Sequence, residues 1–350
     1  MTAQFPHPVL VGDVGGTNAR FARVETPGAP LEASVQLHTH DHACARDGVV
    51  AAIAAMRGRP AAGVSAGGAS AGLPAPRSMI VCGAGPLVEG RIQLTNAGWV
   101  LDQQALLDEL GLEECLLLND FEAQALSLPA LPPEALHRIT PDLAPGEGTR
   151  VILGPGTGLG VAGLIASGGQ FTPVASEGGH VDFGPVTDED YRLWPLIERV
   201  DGRVTAECLL SGPGLLRIYR AQCAVAGRDP RYNETPPLVE AAVGGSDPLA
   251  RDTVRLFLAI LARFAGDVAL TFGARGGVYL SGGILPRIQS LIDPAAFGAI
   301  FADKAPVDGF MRRIAAVLVM EPKGVLLGMA ALAATPERYR LDWKGRLARR

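Results

Sequence analysis

Short apolar runs recur along the chain, and two of them lead into glycine-rich turns. Residues 8–13 read as a buried strand, and 19–24 as its antiparallel return through the glycine turn between them. The strand pattern resumes over 78–82 and 87–94. A shorter apolar strand over 115–118 delivers Asn119 and Asp120 to a helix predicted over 121–128, with Pro129 beyond its end. Helices are also expected over 47–56 and over 102–110, where Asp102 is a suitable N-cap. The second half begins as the first did, with a strand, a glycine turn and a return strand over 161–166, which is a weak internal repeat. Over 247–271 the residues Leu256, Phe257, Ile260, Leu261, Phe264 and Val268 keep close to a 3.6-residue period, predicting a long, mostly buried helix. A strand over 278–280, a turn over 281–283, a helix over 284–292 and an apolar helix over 324–334 precede a basic tail. Two stretches break the pattern. Residues 57–76, dominated by Ala, Gly, Ser and Pro, read as a flexible surface connection, and the proline-rich 131–148 as a connection between domains.

At 350 residues the chain exceeds what one core comfortably supports, so two domains are expected, and 48% hydrophobic residues suffice for two cores. The net charge of −5 and a pI near 5.7 provide no basic field for a nucleic-acid backbone, which favours a small-molecule partner. No apolar run is long enough for a membrane span, and the first residues lack the basic and apolar regions of a signal peptide. The five cysteines, Cys44, Cys82, Cys115, Cys208 and Cys223, have no close pairing, as expected of free thiols in a reducing cytoplasm.

The candidate chemistry lies at the glycine turns. Val9-Leu-Val-Gly-Asp-Val-Gly-Gly-Thr-Asn18 and Val151-Ile-Leu-Gly-Pro-Gly-Thr-Gly-Leu-Gly160 suggest a nucleotide held between two similar halves. Glycines there would permit positive φ and aim consecutive N–H groups at phosphate oxygens, with Thr17 and Thr157 adding hydroxyls. Neither is a Walker loop, because no Gly-Lys-Ser/Thr follows. Asp13 is either a ligand of phosphate-bound Mg²⁺, directly or through water, or an Asx-turn acid. Asp120 is either a general base or the N-cap of the helix after it. Glu177 and His180, among glycines, either hold neighbouring hydroxyls or are ordinary loop residues, and no cysteine cluster supports zinc there. Glu207, opening a helical stretch, suits the helix dipole if it does nothing else. Gly276-Gly-Val-Tyr-Leu-Ser-Gly-Gly-Ile-Leu-Pro286 is a further strand-to-glycine turn, suited to a flat ligand.

Taken in order, seven segments resemble the bacterial glucokinase family, the non-ROK branch of the sugar kinases. They are Gly12-Asp-Val-Gly-Gly-Thr-Asn-Ala-Arg20, Leu94-Thr-Asn-Ala-Gly-Trp99, Asn119-Asp-Phe121, Gly154-Pro-Gly-Thr-Gly-Leu-Gly-Val161, Glu177-Gly-Gly-His-Val-Asp-Phe183, Glu207-Cys-Leu-Leu-Ser-Gly-Pro-Gly214 and Gly282-Gly-Ile-Leu-Pro286. The resemblance implies an α/β, two-domain actin-like ATPase (ribonuclease H-like) fold with mixed sheets and a cleft between the domains. The small domain would comprise 1–130 with 322–350, and the large one 131–321. It further implies ATP-dependent phosphorylation of D-glucose with Mg²⁺, by a cytoplasmic homodimer at the first step of glycolysis. Asp120 would be the catalytic base, and Asn96, Asn119, Glu177, His180 and Glu207 would contact the sugar. Gly12, Asp13, Val14, Gly15, Gly16 and Thr17, with Gly156, Thr157 and Gly158, would cradle phosphates, and Gly282 and Gly283 would lie near the adenosine. A kinase for another hexose and a sugar-responsive regulator on the same fold are the alternatives, and ATP, ADP and polyphosphate all suit glycine turns. The ROK cysteine cluster is absent after His180, and no helix-turn-helix fits before Val9. Two features depart from the family pattern: the connection over 57–76 and the tail beyond 335, whose arginines and lysine read as a solvated end or a dimer contact.

Overall fold

A computed structural model describes residues 4–57, 73–94, 97–140 and 142–350. Most of the 57–76 connection, and Asn96, lie outside the described residues. The chain divides into two compact units, residues 1–131 with 167–173 and 321–350, and residues 132–166 with 174–320.

The first unit is built on a six-stranded mixed sheet, ordered Leu347–Arg349, Glu114–Asn119, Ser78–Gly83, Val9–Val14, Asn18–Val24 and Glu32–His38. The strands Val9–Val14, Ser78–Gly83 and Glu114–Asn119 run parallel, and their register sets Val14 opposite Gly83 and Gly83 opposite Asn119. Three strand ends therefore open on one edge, where ligands of open α/β sheets bind. Burial explains the composition of these strands: apart from Asp13 and Asn119, every residue in the three is buried, as expected where helices cover both faces. On one face Leu10, Met79, Val81 and Leu117 pack with Met56, Trp99 and Leu107.

The helices Asp120–Ser127 and Gly324–Ala334 pack against each other. A Cβ on Gly328 would lie 2.5 Å from the Ala123 carbonyl oxygen and 2.7 Å from the Ser127 nitrogen, so only glycine permits this approach.

In the second unit the sheet order is Gln170–Ser176, Leu159–Ser167, Arg150–Pro155, Val278–Leu280, Ala316–Val319 and Leu136–Arg138. Its first strands repeat the earlier pattern: an antiparallel hairpin over a glycine turn, then a parallel neighbour. The predicted long helix runs Pro248–Phe272, capped by Asp247, with Phe257, Leu261 and Ala265 fully enclosed. Among the described residues, no helix is long and apolar enough to cross a membrane.

Two expectations need correction. The stretch 131–148 contains an edge strand, Leu136–Arg138, which pairs antiparallel with Ala316–Val319. The basic tail is not a solvated end either, because Leu347–Arg349 completes the first sheet and Tyr339 is buried. Length hid both, since three residues carry too little periodicity to signal a strand.

Gly328→Ala is expected to cost about 1–3 kcal/mol through overpacking against backbone. Urea denaturation should show a lower midpoint at unchanged slope, and a wild-type midpoint would show that the helices can separate freely.

Candidate active site

Asn119, not Asp120, caps the helix. Its Oδ1 accepts from the backbone N–H of Phe121 at 3.0 Å and of Glu122 at 3.2 Å, while Glu122 accepts from Asn119 N–H at 3.4 Å, which closes a capping box. Such a cap stabilises a helix by about 1 kcal/mol. The Asn119 side-chain N–H₂ donates to the Gly85 carbonyl at 3.2 Å. Asp120 thus becomes the first helical residue, half-buried, with Oδ1 accepting from Phe121 N–H at 2.9 Å. The capping alternative for Asp120 falls, because the cap belongs to its neighbour.

Asp13 sits one residue before its strand ends, opposite Cys82. Its side chain is 22% exposed, with the Arg20 guanidinium 3.8 Å away and the Cys82 thiol donating to it at 3.7 Å. Among the described residues no backbone N–H donates to this carboxylate, which counts against the Asx-turn alternative. Burial pushes its pKa up, which Arg20 and Cys82 only partly oppose. A partly enclosed carboxylate that is short of positive charge suits a cation. Among the described residues no group of three or more His, Cys, Asp or Glu side chains could hold a metal. A hard ion such as Mg²⁺ fits Asp13 only if water and phosphate supply most of its ligands. Cys82 is fully buried, and burial, with Asp13 and Asp120 nearby, raises its pKa well above the ordinary thiol value.

The glycine turns depart from expectation in one respect. Gly12, Gly15, Gly16, Gly156 and Gly158 all lack positive φ, whereas Gly282 has φ +94°. At Gly12 and Gly158 the requirement is clearance rather than dihedral freedom. A Cβ on Gly12 would lie 2.7 Å from the Phe21 ring, and one on Gly158 would lie 2.5 Å from Glu207 Oε2. The first turn is closed by Gly15 N–H donating to the Asn18 carbonyl at 2.9 Å, with Val14 buried and Thr17 exposed beside it. In the second, Gly156 N–H donates to the Gly158 carbonyl at 2.8 Å, and Thr157 is exposed. Gly156 and Gly283 face open space on their Cβ side.

In the second unit three of the predicted residues, Thr157, His180 and Glu207, line a cavity of about 310 Å³ with Arg203, Asp201 and Arg217, and Glu177 lies beside His180. Glu207 is half-buried, and its Oε2 accepts from Leu159 N–H at 2.8 Å. This acid is therefore more than a charge at a helix start: one of its oxygens is fixed against the glycine turn. His180 and Glu177 are exposed and 3.8 Å apart, His180 ending the 3₁₀ turn Gly178–His180 and Glu177 preceding it.

Sequence reading missed two supporting residues here. Arg203 donates to the His180 carbonyl at 3.0 Å and pairs with Asp182 at 2.8 Å, tying down the loop that carries Glu177 and His180. Nothing in the sequence links residues 23 positions apart. Glu122 could have been found, because Asn followed by Glu three residues later is a capping-box signature.

Comparison with known proteins gives a consistent result. A family model described as Glucokinase matches residues 10–336. The chain is 41% identical over 345 residues to a glucokinase of Sinorhizobium fredii, covering 98% of this chain and 96% of that one. It is 42% identical over 343 residues to a glucokinase of Brucella melitensis, covering 98% and 95%. Among solved structures, glucokinase from an Antarctic psychrotroph superimposes with a TM-score of 0.81 at 28% identity, covering 93% of this chain and 98% of that one.

Arg203→Ala should loosen the 177–182 loop. The amides of His180, Val181 and Phe183, all hydrogen-bonded here, should then exchange with deuterium roughly fivefold faster, the gain expected from one lost hydrogen bond beside an exposed ion pair. Unchanged exchange would show that the loop holds itself.

Proposed function

The chain belongs to the glucokinase family, and from that premise we propose that it transfers the terminal phosphoryl group of ATP to the 6-hydroxyl of D-glucose. The observation that carries the mechanism is the division of labour at the start of one helix: Asn119 takes the cap, and Asp120, its Oδ1 held by Phe121 N–H at 2.9 Å, stands next to it as the proton acceptor.

Asp120 accepts the proton of the sugar 6-hydroxyl as that oxygen bonds to the γ-phosphorus and the bond to ADP breaks. Glu177, His180 and Glu207 hold the other hydroxyls. Carboxylates accept from them, and imidazole donates or accepts. Glu207 does so with the oxygen that Leu159 leaves unused. The second hydrogen of the Asn119 amide reaches the sugar as well, and Asn96 joins it. The turns at Gly12–Thr17 and Gly154–Gly160 receive the phosphates, and Gly282 and Gly283 lie at the adenosine. Asp13 would hold Mg²⁺ through water, and the ion would supply neutralisation of phosphate charge. The same reading extends to a cytoplasmic homodimer acting at the entry to glycolysis, for which the family resemblance is the support.

Asp120→Asn preserves size and one acceptor but cannot take a proton. A coupled assay with glucose, Mg²⁺ and ATP should show kcat reduced about 10²- to 10⁴-fold, while calorimetry finds glucose affinity little changed. Full turnover in that variant would remove Asp120 as base.

Gly158→Ala tests the second unit, because the added methyl would push on the Glu207 carboxylate. The KM for glucose should rise along with that for ATP, and a rise confined to ATP would exclude Glu207 from the sugar site.

A further inference from the structure

The basic tail, which the proposed chemistry does not use, is docked beside the base. Arg346 lies ten residues past the end of the family match at 336. Its carbonyl accepts from Leu117 N–H at 2.9 Å, two residues before Asn119 in the strand Glu114–Asn119. Its guanidinium reaches across to Glu122 Oε1 at 2.6 Å. Glu122 is 4% exposed, and its other oxygen closes the capping box on Asn119 N–H. A buried carboxylate is held in place only while its charge is met. Without Arg346, Glu122 would have to turn toward water and release the Asn119 N–H, and the turn presenting Asp120 would lose one of its two reciprocal bonds.

We propose that Arg346 is a positioning residue for phosphotransfer, which acts through Glu122 to fix the Asn119–Asp120 turn. The proposal rests on the reading of Asp120 as base. Small displacements of a reacting group are costly, since about 1 Å can reduce a rate on the order of 10²-fold. The cost falls on the chemical step and not on nucleotide binding, because Arg346 and Glu122 are given no part in holding ATP.

Arg349 provides the matched control. It lies three residues further on, in the short strand Leu347–Arg349, and pairs with another buried acid, Glu114, at 2.9 Å, at the opposite end of the strand that delivers Asn119. The test compares kcat, both KM values and Tm of the full chain for wild type, Arg346→Gln, Arg346→Lys, Arg349→Gln and the double variant Arg346→Gln with Glu122→Gln. Arg346→Gln should lower kcat roughly tenfold, within the range a slight misplacement allows, with the KM for ATP little changed. Arg346→Lys should regain part of the loss. The double variant should be faster than Arg346→Gln alone, because no buried charge is left unmatched. Arg349→Gln should lower Tm as Arg346→Gln does and leave kcat within about twofold of wild type, since a pair remote from the reacting atoms leaves their alignment intact.

A wild-type kcat in Arg346→Gln, or kcat losses in the two single variants that merely follow their Tm losses, would overturn the proposal. If Arg346→Gln does not fold, Arg346→Lys gives the same comparison against Arg349→Gln. Full turnover in Asp120→Asn would remove the base and this role together. An inactive Asp120→Asn beside an unimpaired Arg346→Gln would remove the positioning role alone.

Discussion

Everything at the first unit's reactive edge depends on how one helix begins. A helix leaves its first amide groups without partners, and some nearby oxygen must meet them. Here the Asn119 amide oxygen takes two of those N–H groups, and Glu122 returns the favour to Asn119 itself. Placing the cap one residue earlier makes the acid the first helical residue, directly after the strand end at which Asn119 lies level with Gly83 and Val14 across three parallel strands.

The two units meet the same demand for a glycine turn with different neighbours. In both, an antiparallel hairpin is joined edgewise to a parallel strand. The first turn is crowded from its own return strand by Phe21, and the second from a distant helix by Glu207. A shared backbone pattern therefore carries an apolar contact in one half and a polar one in the other. That difference is the structural counterpart of the weak internal repeat.

Much of this was legible in the sequence. The hairpins at the two glycine turns, the Asp247-capped helix and the helix Gly324–Ala334 follow from apolar period, capping residues and glycine stops. Glu177 and His180 stood out as polar groups among glycines, whereas Glu207 read as a helix-dipole residue and joined them only through the family resemblance. What stayed hidden depends on partners far away in sequence. The strand Leu136–Arg138 exists because Ala316–Val319 offers an edge, and Leu347–Arg349 because Glu114–Asn119 does. The cap was sought only at Asp120, although Asn caps as well as Asp does. Only backbone geometry decides between adjacent candidates. The reason for glycine in the turns was misjudged for a similar cause, because a sequence does not reveal which side chain will press against a backbone.

The crowding at Gly158 changes what its motif signifies. A Gly-Thr-Gly run after a strand is ordinarily taken as the signature of a phosphate loop, yet here a Cβ on one of its glycines would press on a carboxylate from another helix, which is itself tied to the loop. Selection to keep Glu207 would preserve that glycine in a descendant that had ceased to bind nucleotide. A smaller residue at 207 would release it in a descendant that still did. The inheritance of the motif is thus tied to the acid it shelters, and its presence in a related chain reports on that acid as much as on any phosphate.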